Sequence, residues 1–265
     1  MTVRTPSSRI PSARPFLAPA ARFRRAVLPL ALCAGLTVGL TACGADPDEG
    51  TNGVGKLPAS EIEREARSAA GTAKAVRLSG TLVSKGGTYK LNMRLKQNGG
   101  TGSVTTKNST FELLRVGDAL YLKADAGFWT HEDKGGGKPS EADTEAADKL
   151  DDMYVKVPSD DPSYKQLRGF TEMDQLLTGL IGLHGDVVKG DRDQIGGVRT
   201  VKVRGGADGE GGTLDVALEG SPYPLQFARG GGAGLVVLSE WDKDFPLAEP
   251  DREETLDYGS RLPRT

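Results

Sequence analysis

Residues 76–96 read VRLSGTLVSKGGTYKLNMRLK, and apolar and polar side chains alternate in two runs of this stretch. Apolar residues or glycine occupy every second position of 76–82, and apolar residues do so again in 89–95. A period of two is typical of strands with one buried and one exposed face. Gly86 and Gly87 lie between the runs and favour a tight turn. The stretch therefore predicts an antiparallel hairpin.

The same kind of pattern continues along the rest of the chain. Further strands are predicted at 102–106, 110–116, 119–123, 154–157, 186–189, 198–203, 213–218, 223–228 and 235–241. Turns rich in glycine separate many of them, which is typical of an antiparallel meander. With about ten strands and few helices, the chain is expected to be an α+β protein built on an antiparallel sheet.

Two helices are predicted to cover the apolar face of this sheet. Ser60-Glu61-Ile62-Glu63 has the pattern of a capping box and opens a helix that ends near Gly71. Thr171 is expected to cap a second helix with an apolar stripe along one side. The stripe consists of Met173, Leu176, Leu177, Leu180 and Ile181.

Large sheet residues that face one apolar helix leave two alternatives open. The layers enclose a cavity for an acyl chain, since each buried CH₂ contributes about 0.8 kcal/mol, or the side chains fill the core. Periodicity alone favours the filled core. The candidate cavity residues are Leu78, Leu82, Leu91, Met93, Leu95, Met173, Leu176, Leu177, Leu180, Ile181, Val201, Val203, Leu214 and Val216.

The first 42 residues have the layout of a secretory signal. Arg22, Arg24 and Arg25 precede an uncharged stretch over 26–42, which is short for a bilayer span. The stretch runs into Leu40-Thr41-Ala42-Cys43-Gly44, which resembles a bacterial lipobox. In that pattern the cysteine thiol receives a diacylglycerol, and cleavage makes Cys43 the first mature residue. The alternative is a membrane-spanning segment with a chance cysteine, and the paired arginines leave twin-arginine export open.

Composition divides the chain into four parts. We expect a signal peptide at 1–42, an acylated N-terminus with a flexible linker at 43–57, a folded domain at 58–250 and a C-terminal tail at 251–265. The polar stretch 135–149 is predicted to be a surface insertion with one or two helical turns near 141–150.

Charge and residue types exclude several functions. Residues 1–42 hold six of the 34 basic residues and no acid, so the remainder carries 28 basic and 36 acidic residues, a net charge of −8. Nucleic-acid binding is therefore not expected, because it depends on neutralising phosphates. Once Cys33 is removed with the signal and Cys43 is acylated, no thiol remains. His131 and His184 have no partner at a useful spacing, so no catalytic residue, metal or cofactor is predicted, and the protein is not expected to be an enzyme.

Seven segments, in order, carry a family resemblance. They are VRLSGTL (76–82), ELLRVGDALYLK (112–123), YVKVP (154–158), VKG (188–190), GTLDVAL (212–218), SPYPL (221–225) and LSEW (238–241). This series resembles the LppX/LprA/LprF/LprG lipoproteins of actinobacteria, which are related in fold to the LolA lipoprotein carrier. The resemblance covers residues 59–250. It implies an antiparallel half-barrel with helices across its concave face, an apolar pocket, and binding or transport of lipids or lipoglycans at the cell envelope.

Two functional hypotheses follow. In the first, the protein is held on the extracytoplasmic face of the membrane through the lipid on Cys43 and binds a lipid or lipoglycan without catalysis. In the second, the same fold has a filled core and serves as a protein-interaction or envelope-sensing lipoprotein, with another envelope protein as its partner. An envelope enzyme is a weaker third hypothesis, because no set of catalytic residues supports it.

Overall fold

The structure is a computed structural model of the chain, and it describes residues 48–84, 87–130, 140–257 and 259. Residues 45–265 form one compact unit, which contains every helix and strand in these ranges. Because this unit has its own hydrophobic core, we expect it to fold without residues 1–44.

One large sheet dominates the part of the chain that is described. Its twelve strands are β1 (Ala75–Ser84), β2 (Gly87–Lys96), β3 (Gly99–Thr105), β4 (Thr110–Val116), β5 (Ala119–Ala124), β6 (Tyr154–Val157), β7 (Val187–Ile195), β8 (Val198–Gly205), β9 (Thr213–Ala217), β10 (Pro224–Ala228), β11 (Gly234–Ser239) and β12 (Thr255–Asp257). The α-helices are α1 (Ala59–Thr72), α2 (Ala126–Trp129), α3 (Glu141–Asp148), α4 (Tyr164–Gly169) and α5 (Met173–Leu180). Helix α3 confirms the helical turns that the sequence predicts near 141–150.

The strand order shows an open sheet with β1 near its middle. The order is β12-β6-β5-β4-β3-β2-β1-β11-β10-β9-β8-β7. β1 pairs with β2 on one side and with β11 on the other, so it joins two antiparallel meanders. β12 runs parallel to β6, whereas the remaining neighbours are antiparallel. This topology confirms the predicted antiparallel, half-barrel fold class.

The register of the central strands explains which face is buried. Leu78 on β1 lies opposite Met93 on β2 and Leu238 on β11, and all three side chains are buried. Asn92, one residue before Met93, points to the other face and is exposed. The alternation in the sequence therefore separates the inner, apolar face from the outer, polar face.

Two glycines allow the sheet to bend where strands approach closely. Gly102 on β3 has φ 149°, and a Cβ there would lie 2.1 Å from the carbonyl oxygen of Asn92. Gly234 on β11 has φ 132°, and its Cβ would lie 2.2 Å from the carbonyl oxygen of Thr81. A side chain fits neither position, so these residues permit the curvature of a half-barrel.

Helices α1 and α5 cover the inner face. α1 packs on β7, β8, β9 and β10 through Ile62, Ala66 and Ala70, which are buried. α5 contacts α1 and buries Met173, Leu177 and Leu180. We call α1 and α5 together the lid helices.

The C-terminal segment crosses the outer face of the sheet. The ring of Phe245 lies 5.2 Å from the guanidinium carbon of Arg94 and 4.7 Å from Nζ of Lys96. Farther along, Glu249 accepts a hydrogen bond of 2.9 Å from the Tyr121 hydroxyl. The segment ends as β12, which pairs with β6 and forms one edge of the sheet. The sequence pattern did not predict β12.

Two predicted helix caps are wrong. Pro58, not Ser60, is the N-cap of α1, and Ser60 lies inside the first turn. Glu172 is the N-cap of α5, and no side-chain hydrogen bond caps that helix. The hydroxyl of Thr171 instead accepts a hydrogen bond from Nε of Arg115 and donates to the carbonyl of Arg168. At Thr171, the hydroxyl therefore bonds Arg115 and Arg168 instead of capping α5.

The predicted flexible linker is folded over residues 48–57. The Asn52 side chain donates to the carbonyls of Ala217 and Gly220, and Nζ of Lys189 donates to the carbonyls of Gly55 and Leu57. Val54 is buried in a 3₁₀ turn (Val54–Lys56). The polar composition of this stretch misled the prediction, because its polar groups bond to β9 and β7.

Candidate functional site

All fourteen residues predicted to line a cavity belong to one hydrophobic core on the inner face of the sheet. Strands supply nine of them, and α5 with its C-terminal cap supplies the other five. Leu82 and Leu176 are partly buried, and each of the remaining twelve exposes 5% or less of its surface. Alternation along the strands and the stripe along α5 thus bring these residues together.

The middle of this core is filled. Leu78, Met93 and Leu214 are 0% exposed, so no water-sized space borders their side chains. A cavity wide enough for a hydrocarbon chain would leave accessible surface on the side chains that line it. An acyl chain can therefore reach these three residues only when the lid helices separate from the sheet.

A pocket of about 150 Å³ lies where the two lid helices meet. Ala70, Leu177 and Ile181 form its apolar wall and are also members of the core. Arg67 and Asp174 give it a polar border. We call this the seam pocket, and it connects the surface with the side chains of the core.

Small residues on α1 determine how closely that helix approaches the sheet. Ala66 and Ala70 are buried, and Gly71 beside the seam pocket has open space where a Cβ would lie. Alanine and glycine bury little apolar area, so each contributes less to holding α1 in place than a leucine would. Packing beside the seam pocket therefore depends on small apolar areas of α1.

A second, polar pocket of about 330 Å³ lies at the beginning of α5. Arg115, Arg168 and Glu172 line it together with Met173 and Asp174. Gln97 and Gln175 complete its lining. We call this the arginine pocket, and Asp174 lines both this pocket and the seam pocket.

Arg115 places a buried positive charge on the inner face. Arg115 is 4% exposed, and its guanidinium donates hydrogen bonds to the hydroxyl and the carbonyl of Thr171 at 3.0 and 2.9 Å. A third bond of 2.7 Å goes to the carbonyl of Gly117. Burial lowers the pKa of Arg115, and the charge of Arg168 lowers it further. Because an arginine remains protonated in proteins, the pocket contains a charged, largely desolvated guanidinium.

Arg168 has anionic partners, unlike Arg115. Its Nε donates to Glu172 at 2.6 Å, and its Nη1 lies 3.1 Å from an oxygen of Asp118 and 3.0 Å from the Tyr164 hydroxyl. These bonds raise the pKa of Arg168, with the bond to Glu172 contributing most. The carboxylate of Glu172 is thus engaged by Arg168, whereas all three hydrogen bonds of Arg115 go to uncharged oxygens.

Arg115 was not among the residues predicted from the sequence, although a signal for it was present. Phe111 and Leu113 precede it on β4 at the same parity, and both are buried. The period of two therefore places Arg115 on the inner face with them. Its charge is the reason that it was not assigned to the core.

Other candidate chemical groups do not form a site in the described ranges. His184 is exposed, whereas His131 and Cys43 lie outside those ranges. Within 48–84, 87–130, 140–257 and 259, no group of three metal-binding side chains occurs. Of the helices in this part of the chain, none has the length and apolar character to cross a membrane.

The open antiparallel sheet with lid helices on its inner face defines the LolA-like half-barrel class. LprF from Mycobacterium bovis has this fold: it is 16% identical, the TM-score is 0.50, and the match covers 72% of this chain and 96% of LprF. The resemblance to the LppX/LprA/LprF/LprG lipoproteins is therefore confirmed at the level of the fold.

Two further solved structures are similar over most of their length. The lipoprotein LppX from Mycobacterium tuberculosis is 15% identical with a TM-score of 0.43, over 72% of this chain and 98% of LppX. An uncharacterized conserved protein from Thermus thermophilus is 9% identical with a TM-score of 0.34, over 75% of this chain and 98% of that protein. No protein-family model matches the chain, and no curated protein matches it by sequence.

Proposed function

We propose that the protein is a lipid-anchored lipoprotein of the cell envelope that binds the acyl chain of a lipid beneath its lid helices. The anchor is the diacylglycerol on Cys43, which places the folded domain on the extracytoplasmic side of the membrane. Binding is non-catalytic and is driven by burial of hydrocarbon, which needs no directed polar partner. Transport of the lipid to an acceptor is the further step that this arrangement would serve.

The observation that carries the proposal is the seam pocket. Ala70, Leu177 and Ile181 line it and belong to the core, so a hydrocarbon chain that enters there meets the predicted cavity residues next. Sites for lipid-sized ligands usually measure about 300–1,000 Å³, and the seam pocket has about 150 Å³. Binding therefore requires the lid helices to move apart, and the ligand stabilises that open state.

The first experiment measures lipid uptake by residues 45–265, the compact unit, purified without detergent. We expect native mass spectrometry to show bound lipid, or a fluorescent fatty acid to bind with saturation. A bare polypeptide mass together with no fatty-acid uptake would contradict the proposal.

A variant of Gly71 tests whether the seam pocket is the binding site. Gly71→Phe adds a ring in open space beside the pocket, so we expect fatty-acid affinity to fall about tenfold or more. Gly179→Phe is the matched control, because Gly179 is an exposed glycine of α5 that also has open space around its Cβ position. Equal loss in both variants, or in neither, would argue against this site.

A second candidate function is favoured by the filled core. Since Leu78, Met93 and Leu214 have no accessible surface, the half-barrel could act as an anchored scaffold for another envelope protein. The two functions differ in the experiment above: a scaffold takes up no fatty acid, and Gly71→Phe then has no effect on ligand binding. Cross-linking of a specific protein partner would support the scaffold.

A further inference from the structure

The arginine pocket and the seam pocket follow one another along α5. Met173 and Asp174 line the first, and Asp174, Leu177 and Ile181 line the second. A helix rises 1.5 Å per residue, so the path from Met173 to Ile181 is about 12 Å long. One end of this path has a buried guanidinium, and the other end has aliphatic side chains.

We infer that the two pockets form one site for a single-chain amphiphile with an anionic head, such as a carboxylate or a phosphate ester. The head binds at Arg115 in the arginine pocket, and the tail lies along α5 into the seam pocket. This inference rests on the proposed function and adds the chemical class of the ligand. The site that it describes lies at the lid helices and not within the filled inner core.

Hydrogen bonding at Arg115 supports an anionic head. A guanidinium has five N–H donors, and three hydrogen bonds of Arg115 go to the oxygens of Thr171 and Gly117. Its direct partners are uncharged, so a ligand oxyanion would supply the anionic acceptor that the protein does not. Desolvation strengthens this attraction, since Arg115 is 4% exposed.

The acidic residues near Arg115 differ in how much they oppose its attraction for an anionic head. Glu172 is bonded to Arg168 at 2.6 Å, and Asp118, the other anionic partner of Arg168, has a side chain that is 94% exposed. Asp174 is exposed as well and stands where the two pockets join. Solvent screens exposed charges, so the charge of Arg115 dominates the interior of the pocket. The carboxylate of Asp174, at the surface, weakens the binding of an anion.

The test compares a ligand with an anionic head, a ligand with an uncharged head, and the anionic head without its tail. Decanoate, 1-decanol and acetate compete with a fluorescent fatty acid for residues 45–265 at constant ionic strength. We expect decanoate to bind about tenfold or more tightly than 1-decanol, because one charge-assisted hydrogen bond is gained. Acetate, which has the head without the tail, is expected to bind far more weakly than decanoate.

The outcomes separate this inference from the proposed function. Equal affinity for decanoate and 1-decanol would overturn the anionic-head site and leave acyl binding in place. If acetate or inorganic phosphate binds as tightly as decanoate, the tail contributes nothing and the amphiphile site is wrong. If neither decanoate nor 1-decanol binds, both this inference and acyl binding fail.

Two variants link the effect to the pocket. Arg115→Gln is expected to remove the preference for decanoate, and its folding is checked by circular dichroism. Asp174→Asn is a second variant that leaves the buried core intact, because the residue is exposed. We expect it to raise the affinity for decanoate a few-fold and to leave the affinity for 1-decanol unchanged. Asp148→Asn on α3 is the matched control for net charge, and an equal gain there would count against the site.

Discussion

Arg115 is a charged residue that is only 4% exposed. It lies on the inner face of β4, and two of its three hydrogen bonds hold Thr171, the residue that precedes the α5 N-cap. Thr171 is itself 0% exposed, so its carbonyl depends on Arg115 rather than on water. A charged side chain in this position connects the sheet to the start of the lid.

Replacement of Arg115 is expected to destabilise the protein. Arg115→Ala leaves the carbonyls of Thr171 and Gly117 without their donor and opens a void, so we expect a loss of about 2–4 kcal/mol. Urea unfolding of residues 45–265 measures this loss in the free energy of unfolding. Arg77→Ala on the outer face, with its side chain 42% exposed, is the control and should cost about 1 kcal/mol or less. Equal losses would show that Arg115 has no special role.

At the scale of elements, the C-terminal segment holds the outer face. Phe245, Glu249 and β12 contact three different parts of the sheet between β2 and β6. Tyr121 on β5 is buried under this segment and donates its hydroxyl hydrogen to Glu249. Burial, and then this bond, raise the pKa of Tyr121 from 10.0 to about 12.

The raised pKa of Tyr121 predicts an alkaline loss of stability. The folded protein keeps the phenol protonated up to about pH 12, whereas the unfolded chain releases the proton near pH 10. The contribution of Tyr121 to the free energy of unfolding is therefore complete below pH 10 and is lost as pH rises through 12. We expect the stability difference between wild type and Tyr121→Phe to fall by about 2 kcal/mol over that range in urea titrations. A difference that stays constant with pH would contradict the contact with Glu249.

Much of the sheet could be predicted from sequence, because strand periodicity is a local signal. Leu78 and Met93 lie on the inner face as their alternation indicates. β12 could not be found in this way, because three residues are too short to show a period and their place depends on the distant strand β6. The seam pocket was also beyond the sequence, since it depends on how closely the alanines of α1 allow the lid helices to approach.

At the scale of the whole molecule, the proposed membrane attachment depends on one thiol. We expect the full chain, expressed in a bacterium that processes lipoproteins, to appear in the membrane fraction and to incorporate a labelled fatty acid. Cys43→Ala should abolish the label, because no other atom of the lipobox forms the thioether. Cys33→Ala is the control, since Cys33 precedes the proposed cleavage point. Labelling that survives in Cys43→Ala would disprove the anchor.

The pairing of β1 with β11 has a consequence for biogenesis. Residues such as Leu78 and Leu238 that meet there are separated by most of the domain, so loop closure is slow and late. Until Gly234–Ser239 is available to pair, β1 has an open edge whose amides can pair with another molecule. A chain of this design therefore completes its sheet only when nearly all of it is available, and any stall before that point exposes an aggregation-prone strand.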